Sequence, residues 1–165
     1  MAVTDPNLFN IDTGILQKDA CIIIVRTEWN AAIVDKLEEG CQRILTKYEM
    51  INYKVITVPG AFEIPFAIKS FWDNSQMEKP QAFIALGCVL RGDTPHFDYV
   101  CKAITDGVVK LNLTLPAPTI FGVLTVDNDK QAQDRVGGRY GNKGEEAAIT
   151  ALKMIVLQQS FYKKQ

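Results

Sequence analysis

"AFIALGCVLRGDTPHFDYV", Ala82–Val100, passes from an unbroken apolar run, through a turn of Gly, Asp, Thr and Pro, into a segment of mixed polarity. An apolar run with no polar alternation is what a strand covered on both faces requires, as in a parallel sheet between helix layers. In the turn, Thr94 suits a helix N-cap, Pro95 the first helical position and Asp98 the first turn, where a negative charge complements the helix dipole. The stretch therefore reads as strand, tight exit and helix, the repeating unit of an α/β fold.

The same alternation continues on both sides. "ACIIIVR" (20–26) is a second doubly covered strand, and Asn30 can cap a helix whose Ile33, Leu37, Cys41 and Ile44 recur at helical spacing. "YKVITV" (53–58) reads as a strand ended by Pro59-Gly60, followed by a helix through "AFEIPFAIKSFW" with Pro65 in its first turn. The segment 97–113 reads as an amphipathic helix with Val100, Ile104, Val108 and Leu111 on one face. "TIFGVLTV" (119–126) is a fourth strand. A short helix over "DKQAQDRV" and a long one from Glu145 to about Gln159 complete the order. Strands alternating with helices predict a three-layer α/β/α fold on a four-stranded parallel sheet. Residues 1–19 read as an N-terminal arm and 20–165 as one domain.

The chain of 165 residues is long enough for one substantial core. Its 47% hydrophobic and 22% charged residues are those of an ordinary globular protein. A net charge of −1, with Lys and Arg scattered, provides no electrostatic footprint for nucleic acid or an acidic membrane. Cys21, Cys41, Cys88 and Cys101 lie in apolar segments without a CxxC pair, as buried reduced thiols do. With one histidine they offer no zinc-ligand spacing, so no metal is expected. No apolar run reaches membrane-spanning length and the N-terminus has no signal pattern, so a cytoplasmic protein is expected.

Ligands of such a sheet bind beyond the carboxyl ends of its strands. The segments leaving those ends are "TEWN" (27–30), "PGAFE" (59–63), "VLRGDTPH" (89–96) and "DNDKQAQDR" (127–135), and they hold most of the unusual chemistry in the chain. Gly92 lets the backbone approach a ligand closely, and the helix start beyond it presents unpaired N–H groups, a seat for an anion. Asp93 makes that seat less positive. His96, the only histidine, stands beside it and is either a proton shuttle or a surface residue. Arg135 offers a fork for phosphate, or is a solvated helix charge. Trp29 could stack on a planar heterocycle or join the core, and Glu63 could accept hydroxyl hydrogen bonds or favour a helix start. Asn142 can cap the last helix in a capping-box variant with Glu145, which would hold Lys143 near a fixed helix start.

Taken together, "VPGAFEIP", "GCVLRGDTPHFDYVC", "IFGVLT" and "DRVGGRYGNKGEEAA" resemble the 6,7-dimethyl-8-ribityllumazine synthases, in order from about Cys21 to Leu157. The resemblance implies a flavodoxin-like fold and a transferase of riboflavin biosynthesis that uses no cofactor. Such enzymes condense 5-amino-6-(D-ribitylamino)uracil with 3,4-dihydroxy-2-butanone 4-phosphate, releasing phosphate and water. Carried over by motif, His96 is the acid/base residue. Trp29, Ala61, Phe62, Glu63, Cys88, Val89 and Leu90 bind the pyrimidine and ribityl group, and Phe121 and Lys143 match residues that approach this pocket from the neighbouring subunit side or its rim. Gly92, Asp93, Thr94 and Arg135 bind the phosphate. The chain departs from the commonest pattern at Asp93, whose carboxylate is expected to point away from the phosphate, and at Pro95, which removes an N–H. A homopentamer is implied, in some members closed into an icosahedral 60-subunit shell, toward which the short "GGRYGNKG" leans. Riboflavin synthase is the implied protein partner. A riboflavin synthase of the archaeal type is the rival enzyme, and a flavin-binding shell protein without activity the rival of another class; "GDTPH" and "GNKG" favour the lumazine synthase.

Overall fold

The computed structural model describes residues 6–11, 16–76 and 78–162. Four strands, β1 (Ile22–Thr27), β2 (Tyr53–Val58), β3 (Ala82–Leu90) and β4 (Thr119–Val126), form a sheet in the order β2-β1-β3-β4. Every neighbouring pair is parallel. Parallel strands need crossovers, and α1 (Ala31–Lys47), α2 (Ile64–Asn74) and α3 (His96–Thr114) supply them. The short α4 (Asp129–Gln133) and the long α5 (Lys143–Tyr162) follow β4.

The apolar runs divide between the two faces with the strand period of two. Ile22 and Ile24 of β1 and Ile84, Leu86 and Cys88 of β3 face a core closed by Leu37 and Cys41 of α1 and Ala148, Ile149 and Leu152 of α5. Ile23, Val25, Phe83 and Ala85 face the opposite core, closed by Ile64 and Ile68 of α2 and Ile104, Val108 and Leu111 of α3. The three-layer α/β/α architecture expected of the sequence is the observed one. Edge strand β2 departs from the doubly covered pattern, with Lys54, Val55 and Thr57 exposed.

Three boundaries differ from expectation. First, α3 begins at His96, so Thr94 caps one residue out of frame: its Oγ1 accepts from the His96 N–H at 3.4 Å, and Pro95 holds the N-cap position. Second, the segment after α4 turns into a small hairpin, β5 (Val136–Gly138) with β6 (Gly141–Asn142), where a longer helix over 129–136 was expected. Gly137 and Gly141 have φ of 117° and 70°, a backbone helix cannot use and glycine adopts freely. Third, α5 starts at Lys143 rather than Glu145, because the buried Asn142 caps it directly, accepting from the N–H groups of Gly144 and Glu145 at 2.8 and 3.3 Å. Glu145 does not reach back to close the capping box; its carboxylate accepts from Arg43 of α1.

Of residues 1–19, expected as an arm, 1–5 and 12–15 lie outside the described residues. Among the described ones, Pro6–Phe9 form a 3-10 turn, and Phe9, Ile11 and Leu16 pack against the α1/α5 core. The Tyr48 hydroxyl donates to the Phe9 carbonyl at 3.1 Å and Lys153 Nζ to that of Asn7 at 3.2 Å.

Candidate functional site

The strand order reverses between β1 and β3, and the crevice beyond the carboxyl ends at such a reversal is where parallel sheets bind their ligands. Both exits carry site residues. Leaving β1, Glu28 and Trp29 donate their N–H groups to the carbonyls of Val58 and Pro59 at 2.8 and 3.1 Å, which ties this exit to that of β2. The chain then reverses at Asn30, whose φ of 59° is left-handed. Asn30 holds the N-cap position of α1, but its side chain does not cap: Nδ2 donates to the Cys88 carbonyl at 2.8 Å and bridges the crevice to β3. Asn tolerates the left-handed region better than most residues. The expected cap is thus a clamp between strands. It leaves Trp29 65% exposed at the lip, beside the edge of the indole a Cβ on Gly60 would strike at 2.9 Å.

Beyond β2, Ala61–Glu63 form a 3-10 turn leading into α2, with Pro65 in the first turn of that helix. Glu63 folds back so that its Oε2 accepts from the Gly60 N–H at 3.1 Å. Ala61 is buried, whereas Phe62 stands exposed beside the turn. At the end of β3 the side chains grade outward: Cys88 buried, Val89 half-buried, Leu90 exposed. Burial, reinforced by the negative charge of Asp129, pushes the Cys88 thiol up to about 11. It stays protonated at neutral pH and is no nucleophile. Cys41 is pushed up to about 12 by burial. All four cysteines are free.

Gly92, Asp93 and Thr94 form the exposed turn before α3, and His96 is its first residue. The Asp93 carboxylate makes no hydrogen bond or ion pair among the described residues, and neither does the His96 ring. That imidazole is therefore open to a ligand on both nitrogens. At the start of α3 the His96 N–H is held only by the long bond to Thr94 Oγ1 and the Asp98 N–H donates to the Pro95 carbonyl at 3.0 Å, while the Phe97 N–H has no acceptor among the described residues, so the turn and this helix start offer main-chain N–H groups to an anion.

Phe121, Arg135 and Lys143 lie elsewhere. They line a cleft of about 920 Å³ between edge strand β4 and α5, together with Leu115, Met154 and Phe161. None of the residues at the β1, β2 and β3 exits lines this cleft. Phe121 is 42% exposed. Arg135 donates from Nη1 to the Gln131 carbonyl at 2.8 Å, and its guanidinium lies 5.0 Å from the Tyr140 ring centre. Lys143, mostly buried, donates from Nζ to Glu146 at 2.6 Å. The predicted residues thus fall into two groups on different parts of one chain. Only the first lies at the exits of β1, β2 and β3.

Sequence reasoning passed over Asn30 as a clamp and over Glu146 as the partner of Lys143. The three-residue spacing of Lys143 and Glu146 on a helix was a usable signal. Nothing local signals that Asn30 reaches Cys88, far along the chain. Among the described residues, no group of three or more His, Cys, Asp or Glu could hold a metal ion, and no helix is long and apolar enough to cross a membrane.

Comparison with known proteins places this geometry. A protein from Parabacteroides distasonis named 6,7-dimethyl-8-ribityllumazine synthase is 51% identical over 134 residues, 80% of this chain and 82% of its own. The namesake from Bacteroides fragilis is 48% identical over 80% of this chain and 92% of its own. That from Cytophaga hutchinsonii is 42% identical over 94% of this chain and 98% of its own. The sequence profile of the 6,7-dimethyl-8-ribityllumazine synthases matches residues 19–159, from just before β1 nearly to the end of α5, and the chain belongs to that family.

Proposed function

We propose that the protein forms 6,7-dimethyl-8-ribityllumazine from 5-amino-6-(D-ribitylamino)uracil and 3,4-dihydroxy-2-butanone 4-phosphate, the penultimate step of riboflavin biosynthesis. The observation that carries this reading is the shared position of an exposed indole at Trp29, an imidazole at His96 bonded to nothing among the described residues and the exposed Gly92–Thr94 turn, all at the carboxyl-end exits of the parallel sheet in a chain of this family. Lumazine absorbance after mixing the purified protein with both substrates tests it, and no product refutes it. Riboflavin formed from lumazine alone would instead indicate the archaeal-type disproportionation.

The uracil amine attacks the ketone and water leaves, giving an imine. Phosphate is then eliminated, and ring closure releases a second water. Trp29 stacks on the pyrimidine, while Ala61, Phe62, Glu63 and the Cys88–Leu90 segment flank it and the ribityl chain. Gly92, Asp93 and Thr94 offer main-chain N–H groups to the phosphate, with the Asp93 carboxylate turned to solvent. His96 carries protons between the amine, the carbonyl oxygen and the leaving groups. Arg135 receives the phosphate with a charge-assisted fork. Arg135→Ala is accordingly expected to raise KM for the butanone phosphate about 10- to 100-fold, since a hydrogen bond to a charged group is worth about 1.5–3 kcal/mol. Steady-state kinetics with each substrate varied in turn check this; an unchanged KM and kcat would refute the assignment.

The separation of Phe121, Arg135 and Lys143 from the crevice supports a site shared between subunits, in which this second group completes the crevice of a neighbour. The two sheet edges are unlike: one bears the β4/α5 cleft, the other a groove lined by Ile56, Phe66 and Phe71. Contact between unlike faces closes into a ring where the rotation between neighbours permits it. With the ring of five, the shell and the partner that the family resemblance implies, we read the protein as a homopentamer, with twelve pentamers forming a 60-subunit shell that has riboflavin synthase as its partner. Sedimentation should show a particle far above the roughly 90 kDa of five 18.4 kDa chains; a species at that mass would leave the pentamer and remove the shell. Four free thiols, three of them buried, suit the reducing cytoplasm. The two cores share one sheet, which supports one domain over 20–165 behind an arm of 1–19.

A further inference from the structure

Arg91 stands between the end of β3 and Gly92. Its N–H prolongs the sheet by donating to the Val126 carbonyl at 2.9 Å. Its guanidinium spans three elements. Nε donates to Asp127 Oδ1, just past β4, at 2.9 Å. Nη2 donates to Asp98 Oδ1, in the first turn of α3, at 3.2 Å. The guanidinium carbon lies 4.0 Å from the centre of the Phe97 ring. Phe97 and Asp98 are the two residues after His96. Asp127 is anchored in turn, because its N–H donates to Gln131 Oε1 at 3.0 Å and the Gln131 N–H donates to the α4 cap Asn128 at 3.0 Å. Arg91, and then the Gln131 amide, hold the Asp127 carboxyl below the usual carboxylate range, so the pair stays ionised at neutral pH. Between Gly92 and His96, by contrast, one long hydrogen bond of 3.4 Å is the only internal tie among the described residues.

We propose that Arg91 is a positioning residue, which fixes the start of α3 against the exit of β4 and thereby places the His96 imidazole and the N–H groups of the phosphate seat. The inference rests on the reaction given above. A planar guanidinium presents donors at fixed angles and a flat face, so one side chain holds two carboxylates and stacks on a ring at once; a lysine ammonium does not. Ion pairs this exposed add little to stability, because water solvates the separated charges well and salt screens them. The role is geometric, and displacement of a reacting group by about 1 Å can cost about 10²-fold in rate.

The alternative for an arginine beside a phosphate seat is direct binding of the phosphate, and it predicts the opposite sign. Releasing Arg91 from both carboxylates would strengthen a direct ligand and weaken a positioning residue. Steady-state kinetics on the assembled protein, with each substrate varied, should be run for wild type, Arg91→Ala, Arg91→Lys and the double variant Asp98→Asn/Asp127→Asn. The expected result for Arg91→Ala is a KM for the butanone phosphate raised about tenfold, a kcat lowered by a similar factor and an unchanged KM for the uracil. Arg91→Lys keeps the charge and should be impaired in the same pattern, and so should the double variant. Kinetics unchanged in Arg91→Ala would overturn the proposal. So would a fall in kcat with both KM values unchanged, the mark of lost folded protein, or a double variant with a lower KM for the phosphate substrate than wild type. Failure of the wild type to form lumazine would overturn the functional reading itself, and that arm reports it separately.

Discussion

Gly144→Ala is expected to leave little folded protein. A Cβ at Gly144 would lie 1.8 Å from the Leu37 carbonyl oxygen and 2.6 Å from its carbon, both main-chain atoms of α1. A side-chain end could swing aside; a helix backbone cannot. The slot is filled from the other side as well, because Gly40 faces Asn142, whose Oδ1 a Cβ would meet at 2.3 Å. Asn142 in turn donates to the Lys36 carbonyl at 3.0 Å and caps α5. Admitting one methyl therefore means parting α1 from α5 and loosening the core that Leu37, Cys41, Ala148 and Leu152 share. Overpacking costs about 1–3 kcal/mol when side chains can shift, and more when they cannot. Against a total stability of about 5–15 kcal/mol that is a large fraction. Denaturant unfolding should show a much lower midpoint, or the variant should fail to accumulate. Gly92→Ala is the control, since its Cβ would meet nothing within 4 Å. Equal midpoints for Gly144→Ala and wild type would contradict the packing argument.

His96→Ala carries the largest expected effect on chemistry. Turnover should fall by about 10²–10⁴-fold, the usual worth of a positioned acid/base group, and yet remain measurable. Holding two substrates in reactive orientation supplies up to roughly 7–11 kcal/mol by itself, and that depends on the crevice rather than on the imidazole. The His96 ring is exposed and bonded to nothing among the described residues, so its removal should leave the unfolding midpoint where it was. Initial rates of lumazine formation at saturating substrate settle the matter. Undiminished turnover would take His96 out of the mechanism.

The architecture was legible because burial on both faces leaves a strong mark. Runs such as Ile22–Val25 and Ala82–Leu86 admit no polar residue in a doubly covered strand, and each precedes a segment of helical spacing. What resisted reading was local and glycine-dependent. The Val136–Asn142 hairpin has too few residues for any periodicity, and it forms because two glycines adopt positive φ. Thr94 read as the N-cap and Pro95 as the first helical residue set the start of α3 one residue too early, and the start adopted makes His96 its first residue.

Site residues were legible by type and by position along the chain, since segments at the carboxyl ends of parallel strands converge whatever their side chains. Their grouping was not. That Phe121, Arg135 and Lys143 share one cleft, which Trp29, Glu63 and His96 do not line, depends on β4 lying at the sheet edge, which strand order alone determines and one-dimensional pattern does not encode. The same holds for the long-range ties. Asn30 to Cys88, Arg91 to Asp127 and Asn142 to Lys36 join residues distant in sequence, because a hydrogen bond depends on separation in space. Periodicity and composition determined the layers, the strand exits and the residue types placed there. The tertiary packing decided which exits meet, which side chains clamp them, and that the helix start bearing His96 is held from outside its own turn.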